Sequence, residues 1–301
     1  YTHKRICRVL NTEFVEIPDT GTGETDWDYL MDHLDKIGTV VVTMGTTGLG
    51  DVEPLADLLP DLQKHGVRVH LDAAYGGFFK IIESDLSSQR HWAKLSQADS
   101  IVIDPHKHGL QPYGCGSIMF RDPGVGQFFK HDSPYTYFTS DDLHLGEISL
   151  ECSRAGASAA AFWATLKLFP LTTDGLGHYL KSTVTAAKLM YGSLKSSKKF
   201  ECFNKPELDI LAYFAIPENK SLSAVSERSD ALFRAGAQAA PKEGFHLSLY
   251  KVSSADFLAR FPDYEADAET VTLLRSVLMK PEHEPFVTKL TRRLHALLDT
   301  L

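Results

Sequence analysis

No apolar run of about 18 residues occurs anywhere in the chain, so no segment reads as a membrane-spanning helix. The most apolar long stretch, ASAAAFWATLKLF (157–169), is short and interrupted by Lys167, and it predicts a buried helix. Cysteine is scarce. Cys7, Cys115, Cys152 and Cys202 lie far apart with no C-x-x-C pair, which argues against a zinc site or a disulfide scaffold and fits a reducing, cytoplasmic setting. Basic runs are missing too. The 39 acidic residues outnumber the 31 basic ones for a formal net charge of -8, and KSSKK (195–199) and RR (292–293) read as solvated faces. No nucleic-acid footprint follows from such a balance. There is no internal repeat and no low-complexity linker. The opening YTHKRICRVLN carries no initiator Met and no signal or transit pattern, and it predicts a chain that starts inside an organised domain.

What is present is ordinary for a soluble globular protein: 43% hydrophobic and 23% charged residues over 301 positions, enough for one large domain or two. Strand-like and helix-like segments alternate at first. EFVEI (13–17) predicts a strand, and DWDYLMDHLDKIG (26–38) a helix with Asp26 as N-cap and Gly38 as stop. Strand TVVVTM (39–44), helix PLADLLPDLQKHG (54–66) and strand VRVHLD (67–72) follow, then strands SIVID (100–104) and GSIMF (116–120). Such alternation implies a mostly parallel sheet covered on both faces.

Beyond Phe120, helices are expected near 154–169, 179–196, 221–240 and 285–298. ILAYFAI (210–216), HLSLYKV (246–252) and TLLRSVLM (272–279) are the expected strands of a smaller α+β unit. FPLTTDGLG (169–177) marks the division, giving a large domain over 1–175 and a small one over 176–301.

Ligands of open parallel sheets bind beyond the carboxyl ends of the strands. Three strand ends here carry chemistry. TVVVTM runs into Gly45-Thr46-Thr47-Gly48, VRVHL into Asp72-Ala73-Ala74-Tyr75, and SIVI into Asp104-Pro105-His106-Lys107. Taken singly, each is ordinary: an Asp at a strand end is usually a cap, a loop lysine is usually solvated, and Gly-Thr-Thr is common turn chemistry. Together they offer hydroxyls and free amides, a carboxylate and an amine at one rim. Pyridoxal phosphate needs that set: a lysine for its imine, a carboxylate to keep its pyridine nitrogen protonated, and donors for its phosphate. On this reading Lys107 takes the aldehyde and Asp72 holds the ring proton. Ala74 lies flat against one ring face, and His106 contacts a phosphate or carboxylate.

TMGTTGLGDVEPL, VHLDAAYGGF, ADSIVIDPHKHGLQPYGCGSIMFR and LECSRAGASAAAFW together resemble the group II pyridoxal-phosphate-dependent amino-acid decarboxylases, from about residue 10 to 170 and more faintly to the C-terminus. The DPHKHG form with later SPY and SRAGA looks most like the tyrosine/aspartate branch. The resemblance implies the aspartate-aminotransferase-type α/β fold (fold type I), with a mostly parallel large-domain sheet and a smaller α+β C-terminal domain. It implies the imine on Lys107 and the pyridinium partner at Asp72. Thr47 would lie near the ring's phenolic oxygen or the substrate carboxylate, and Glu53 stands where an Asp is frequent. His3, or a residue just before Tyr1, would be the histidine that stacks on the ring. Arg154 would meet substrate or cofactor, or else cap a helix through an ion pair, and Arg275 would take the substrate α-carboxylate. SPYTYFTSDDLHLGE resembles a loop that closes over the site, with Tyr135 or Tyr137 returning a proton to Cα. The family's phosphate-cradling turn lies upstream of where this chain begins, so a sheet edge would be left open.

The implied activity is decarboxylation of an L-amino acid, tyrosine first and aspartate next, by a cytoplasmic homodimer with a shared site. Another reaction on the same fold (carbon–carbon lyase, aminotransferase or oxidative deaminase) and a non-catalytic scaffold remain open alternatives.

Overall fold

The computed structural model describes residues 2–20, 24–131, 145–148, 155–239 and 243–301. Its first sheet contains β1 (Thr39–Thr43), β2 (Arg68–Asp72), β3 (Ser100–Ile103) and β4 (Ser117–Phe120), side by side in that order. β1, β2 and β3 run parallel, and β4 returns antiparallel along β3. β1 is almost wholly β-branched, a composition that suits a pleated surface, and its alternate residues Val40 and Val42 are buried. In β2 the same period buries Val69 and Leu71. The crossover helix Leu55–Lys64 buries Leu55, Leu58, Leu59 and Leu62, the spacing of a single helix face. β4 is an edge strand whose Ile118, Met119 and Phe120 stay exposed.

The second sheet is antiparallel throughout. It orders β5 (Phe200–Cys202), β6 (Ile210–Ala215), β8 (Thr270–Val277) and β7 (Ser248–Ser253). β6 is buried along its full length because both of its faces are covered. Leu211, Tyr213 and Ala215 join one apolar cluster with helix His283–Leu298, while Ala212 and Phe214 join another with Val225 and Phe257. The long helix Leu176–Ser196 serves both units. Leu176, Leu180 and Val184 pack into the core of the first sheet, and Ala186, Ala187, Met190 and Leu194 into that of the second. Each fully buried leucine contributes about 2 kcal/mol of apolar transfer, so this helix ties the two cores mechanically.

Three expectations need correction. Residues 13–17 form no strand: they find no ladder partner and lie largely exposed, and a strand without a neighbour leaves its backbone groups to water. The helix expected over 26–38 is the short turn Trp27–Met31 followed by a 3-10 turn at Leu34–Lys36. Its cap is as expected, with Asp26 accepting the Tyr29 N–H at 3.0 Å. Helix Ala157–Leu168 forms, yet none of its residues is buried, and Trp163 is 64% exposed. Among the described residues it meets the body of the protein where Phe162 stands edge-on to Phe78 and Thr165 accepts from Gln111 Nε2 at 2.8 Å.

Candidate active site

Register sets the three strand ends level. Thr43 faces Asp72 and Asp72 faces Val102. The ladder continues into the turns, with Met44 N–H on the Asp72 carbonyl, Ala73 N–H on Val102 and Asp104 N–H on Ala74. The first two turns are pressed together. A Cβ on Gly76 would come within 2.1 Å of the Met44 carbonyl oxygen. Gly45 has φ +93°, and a Cβ there would lie 2.8 Å from Gly76 Cα. Only glycine at both points allows this approach.

At the end of β2, Asp72 Oδ1 accepts the Ala74 N–H at 3.2 Å. Its Oδ2 stands 3.8 Å from His3 Nε2, and the side chain is 31% exposed. Helix Thr2–Val9 therefore brings His3 to the same rim. Just past β3, the Lys107 amine is 3.2 Å from Asp104 Oδ2 and 27% exposed. His106 donates through Nδ1 to the Cys115 carbonyl at 2.6 Å and keeps Nε2 3.6 Å from Asp104. Thr47 is exposed at the rim. Its carbonyl and that of Gly48 accept from the Arg275 guanidinium, through Nη2 and through Nε (2.7 Å) respectively. Burial pulls the Arg275 pKa down. Tyr135, Tyr137 and Arg154 lie outside the described residues.

Glu53 lies directly behind this rim. Its carboxylate accepts the Thr43 N–H at 2.5 Å. Burial first, then the charges of Asp72 and Asp51, raise its pKa from 4.5 to about 7.

Sequence reading passed over a second set of polar groups. His108, next to Lys107, is 1% exposed, with Nε2 2.7 Å from Asp209 Oδ2. Its Nδ1 meets the Tyr75 carbonyl at 3.1 Å, and the Tyr75 hydroxyl donates to Asp209 Oδ1 at 2.5 Å. Burial and the neighbouring Asp209 carboxylate push the Tyr75 pKa upward. The repeated histidine of HKH was the available signal for one end of this network. Nothing local to Asp209 marks the other end.

The donor set at the rim fits pyridoxal phosphate. A protonated pyridine nitrogen needs an acceptor, and Asp72 Oδ2 makes no hydrogen bond among the described residues. A flat ring needs a small neighbour, and the half-buried Ala74 supplies one. Lys107 is a primary amine on the adjacent strand end, partly withdrawn from solvent.

Comparison with known structures defines the fold. Mouse CSAD superposes with TM-score 0.77 at 19% identity, covering 100% of this chain and 62% of that one. Oryza sativa TDC, solved with PLP and tryptamine, gives 0.75 at 16%, covering 98% and 60%. The fold is thus the type I fold of pyridoxal-phosphate-dependent decarboxylases. The family model described as the pyridoxal-dependent decarboxylase conserved domain matches residues 5–216, and the chain belongs to that family.

Among curated relatives, the L-tyrosine decarboxylase of Enterococcus faecium is 27% identical over 280 residues, covering 76% of this chain and 46% of its own length. A probable L-tyrosine/L-aspartate decarboxylase of Methanothermobacter thermautotrophicus is 35% identical over 153 residues, covering 48% and 40%. An L-2,4-diaminobutyrate decarboxylase of Acinetobacter baumannii is 27% identical over 215 residues, covering 68% and 41%. The chain spans about half the length, or less, of these relatives. Among the described residues no helix is long and apolar enough to cross a membrane.

Proposed function

We propose that this chain forms the core of a pyridoxal-phosphate-dependent decarboxylase acting on an L-amino acid, tyrosine first and aspartate next. The observation that carries the reading is the presence, at adjacent strand ends, of a carboxylate whose Oδ2 makes no hydrogen bond among the described residues (Asp72) and a partly shielded amine (Lys107). Relatives named for tyrosine, aspartate and diaminobutyrate support the reaction class.

When bound, pyridoxal phosphate supplies an aldehyde for amines and a cationic ring that takes up the electron pair left by a departing carboxylate. The rest falls to the protein. Lys107 provides the anchoring amine, and Asp104, 3.2 Å away, holds that amine at the strand end. Asp72 keeps the proton on the ring nitrogen. Ala74 leaves one ring face clear, and His3, 3.8 Å from Asp72, is the candidate for stacking on the other. Thr47, Arg275 and Arg154 are the candidates for orienting the substrate carboxylate, and His106 for an anionic contact. Tyr135, Tyr137 or Lys107 returns the proton to Cα. A cytoplasmic homodimer fits the exposed apolar side of helix 157–168, which carries Trp163 and Leu168.

The test is an absorption spectrum of the purified protein with added pyridoxal phosphate, then borohydride reduction and peptide mapping. A visible band converted to a stable adduct on Lys107 is expected, with carbon dioxide released faster from tyrosine than from aspartate. No adduct would favour a non-catalytic role.

A further inference from the structure

The segment Glu207-Leu208-Asp209 links β5 to β6, yet it is built into the first unit. Leu208 is wholly buried in the core of the first sheet. On one side of it, Glu207 accepts from the Ser88 N–H at 3.0 Å and from the Ser88 hydroxyl at 2.7 Å, as well as from the Ser87 hydroxyl. On the other, Asp209 is 0% exposed and takes both the Tyr75 hydroxyl and the His108 imidazole. Burying a carboxylate is costly unless its oxygens are occupied, and here each oxygen has one close donor.

The histidine side is equally constrained. Nδ1 faces a carbonyl, which can only accept, so Nδ1 carries a hydrogen. Nε2 faces Asp209 Oδ2 at 2.7 Å, so both ring nitrogens are held. The ring is further boxed by Tyr75 and Phe79, both edge-on, at 4.8 and 4.7 Å between centroids. His108 therefore has one orientation.

On the other side of Lys107, His106 is fixed to the Cys115 carbonyl through both its main-chain N–H (3.1 Å) and its ring (2.6 Å). Gly109 closes the loop behind, where a Cβ would come within 2.7 Å of Pro105. The lysine is thus the middle residue of a turn pegged at both neighbours, and one peg is driven from a distant part of the chain.

We propose that Asp209 is a positioning residue for Lys107, acting through His108 and Tyr75 to fix how the amine is presented at the rim. This rests on the reading of Lys107 as the anchoring amine. Without Asp209, His108 loses its orienting partner, and the Lys107 backbone gains a freedom that a covalent anchor cannot tolerate. Asp209→Asn should preserve the arrangement. Its carbonyl can accept from Tyr75, and its amide can donate to a His108 that carries its hydrogen on Nδ1.

The experiment titrates the purified protein and the variants Asp209→Ala, Asp209→Asn and Glu207→Ala with pyridoxal phosphate over a pH series. The adduct on Lys107 is trapped with borohydride and quantified by peptide mapping, and thermal unfolding without cofactor is recorded in parallel. Asp209→Ala should need about tenfold more cofactor for half-labelling and should move the pH midpoint of labelling. Asp209→Asn should label within about threefold of the parent. Glu207→Ala breaks the serine contacts on the same segment. It should lower the unfolding temperature as Asp209→Ala does, yet label like the parent.

Parent-like labelling of Asp209→Ala, or an equal labelling loss in Glu207→Ala, overturns the proposal while leaving Lys107 as the anchor. A parent protein not labelled at Lys107 removes both. If Asp209→Ala does not fold, Tyr75→Phe carries the comparison, with an expected labelling loss greater than that of Asp209→Asn, and a loss no greater than that overturns the proposal.

Discussion

Glu53 gives the sharpest test of the electrostatics around the rim. Its carboxyl pKa is raised from 4.5 to about 7, chiefly by burial, with Asp72 and Asp51 adding to the effect. A carboxyl that keeps its proton longer in the folded chain gives it up first in the unfolded one. Stability is therefore undiminished below pH 4.5, falls as pH rises, and levels off above about 7. Each pH unit between the two values is worth about 1.4 kcal/mol. Allowing for the side chain's remaining contact with water, ionised Glu53 costs the folded chain about 2 to 3 kcal/mol by pH 8.

Glu53→Gln removes that cost and keeps an oxygen to accept the Thr43 N–H. At about 2.1 cal/mol/K of unfolding entropy per residue, the gain at pH 8 corresponds to roughly 4 °C in melting temperature. The assay is thermal unfolding of parent and variant, without cofactor, at pH 4.5 and pH 8. The variant should match the parent at the lower pH and exceed it at the higher. An equal difference at both values, or a variant less stable at pH 8, would refute the assignment of the raised pKa to Glu53.

Two further outcomes follow from the rim. Asp72→Asn should still give a trapped adduct on Lys107, since Ala74 and the lysine loop do not depend on the charge. Decarboxylation should slow by roughly a hundredfold, because an amide cannot hold the ring nitrogen as a cation, and an undiminished rate would remove Asp72 from that role. Gly76→Ala pushes a methyl to within 2.1 Å of the Met44 carbonyl oxygen. Denaturant unfolding should show a loss of about 3 kcal/mol, and a variant as stable as the parent would mean that the two turns are not in contact.

The parts of this structure that could be read from the sequence are those whose cause is local. β1 and β2 announce themselves by β-branched runs ending in turn residues, and Asp26 caps its helix within four residues of the group it satisfies. The strand-end positions of Asp72 and Lys107 were legible for the same reason, since each follows an apolar run. Residues 13–17 have strand composition but no partner, and pairing is a property of the neighbour rather than of the segment. The exposure of helix 157–168 escapes periodicity because its apolar residues surround it, a pattern that predicts burial without saying what does the burying. His108 and Asp209 stand 101 positions apart, and no spacing rule connects them.

The same distinction explains why the second sheet matters to a site made of turns in the first. A turn such as Gly45–Gly48 has its own hydrogen bonds, from Gly50 N–H to the Thr46 carbonyl and from Gly45 and Thr46 N–H to the Asp51 carbonyl. The Thr47 and Gly48 carbonyls are satisfied from outside, by Arg275 of β8. The next carbonyl, Leu49, accepts from Asn204, whose Nδ2 lies 3.3 Å away. Tyr250 of β7 stands against Gly48 so closely that a Cβ there would lie 2.6 Å from its hydroxyl. The turn after β2 and the lysine loop after β3 share Asp209. A fixed guanidinium fork, an amide, a phenol and a buried carboxylate thus meet the turns at the three strand ends. The parallel sheet sets where Asp72 and Lys107 begin, and the second unit contacts the turns that follow all three strand ends. A change in the β5–β6 segment therefore acts on the rim through these bonds, without Glu207, Leu208 or Asp209 having to touch a ligand.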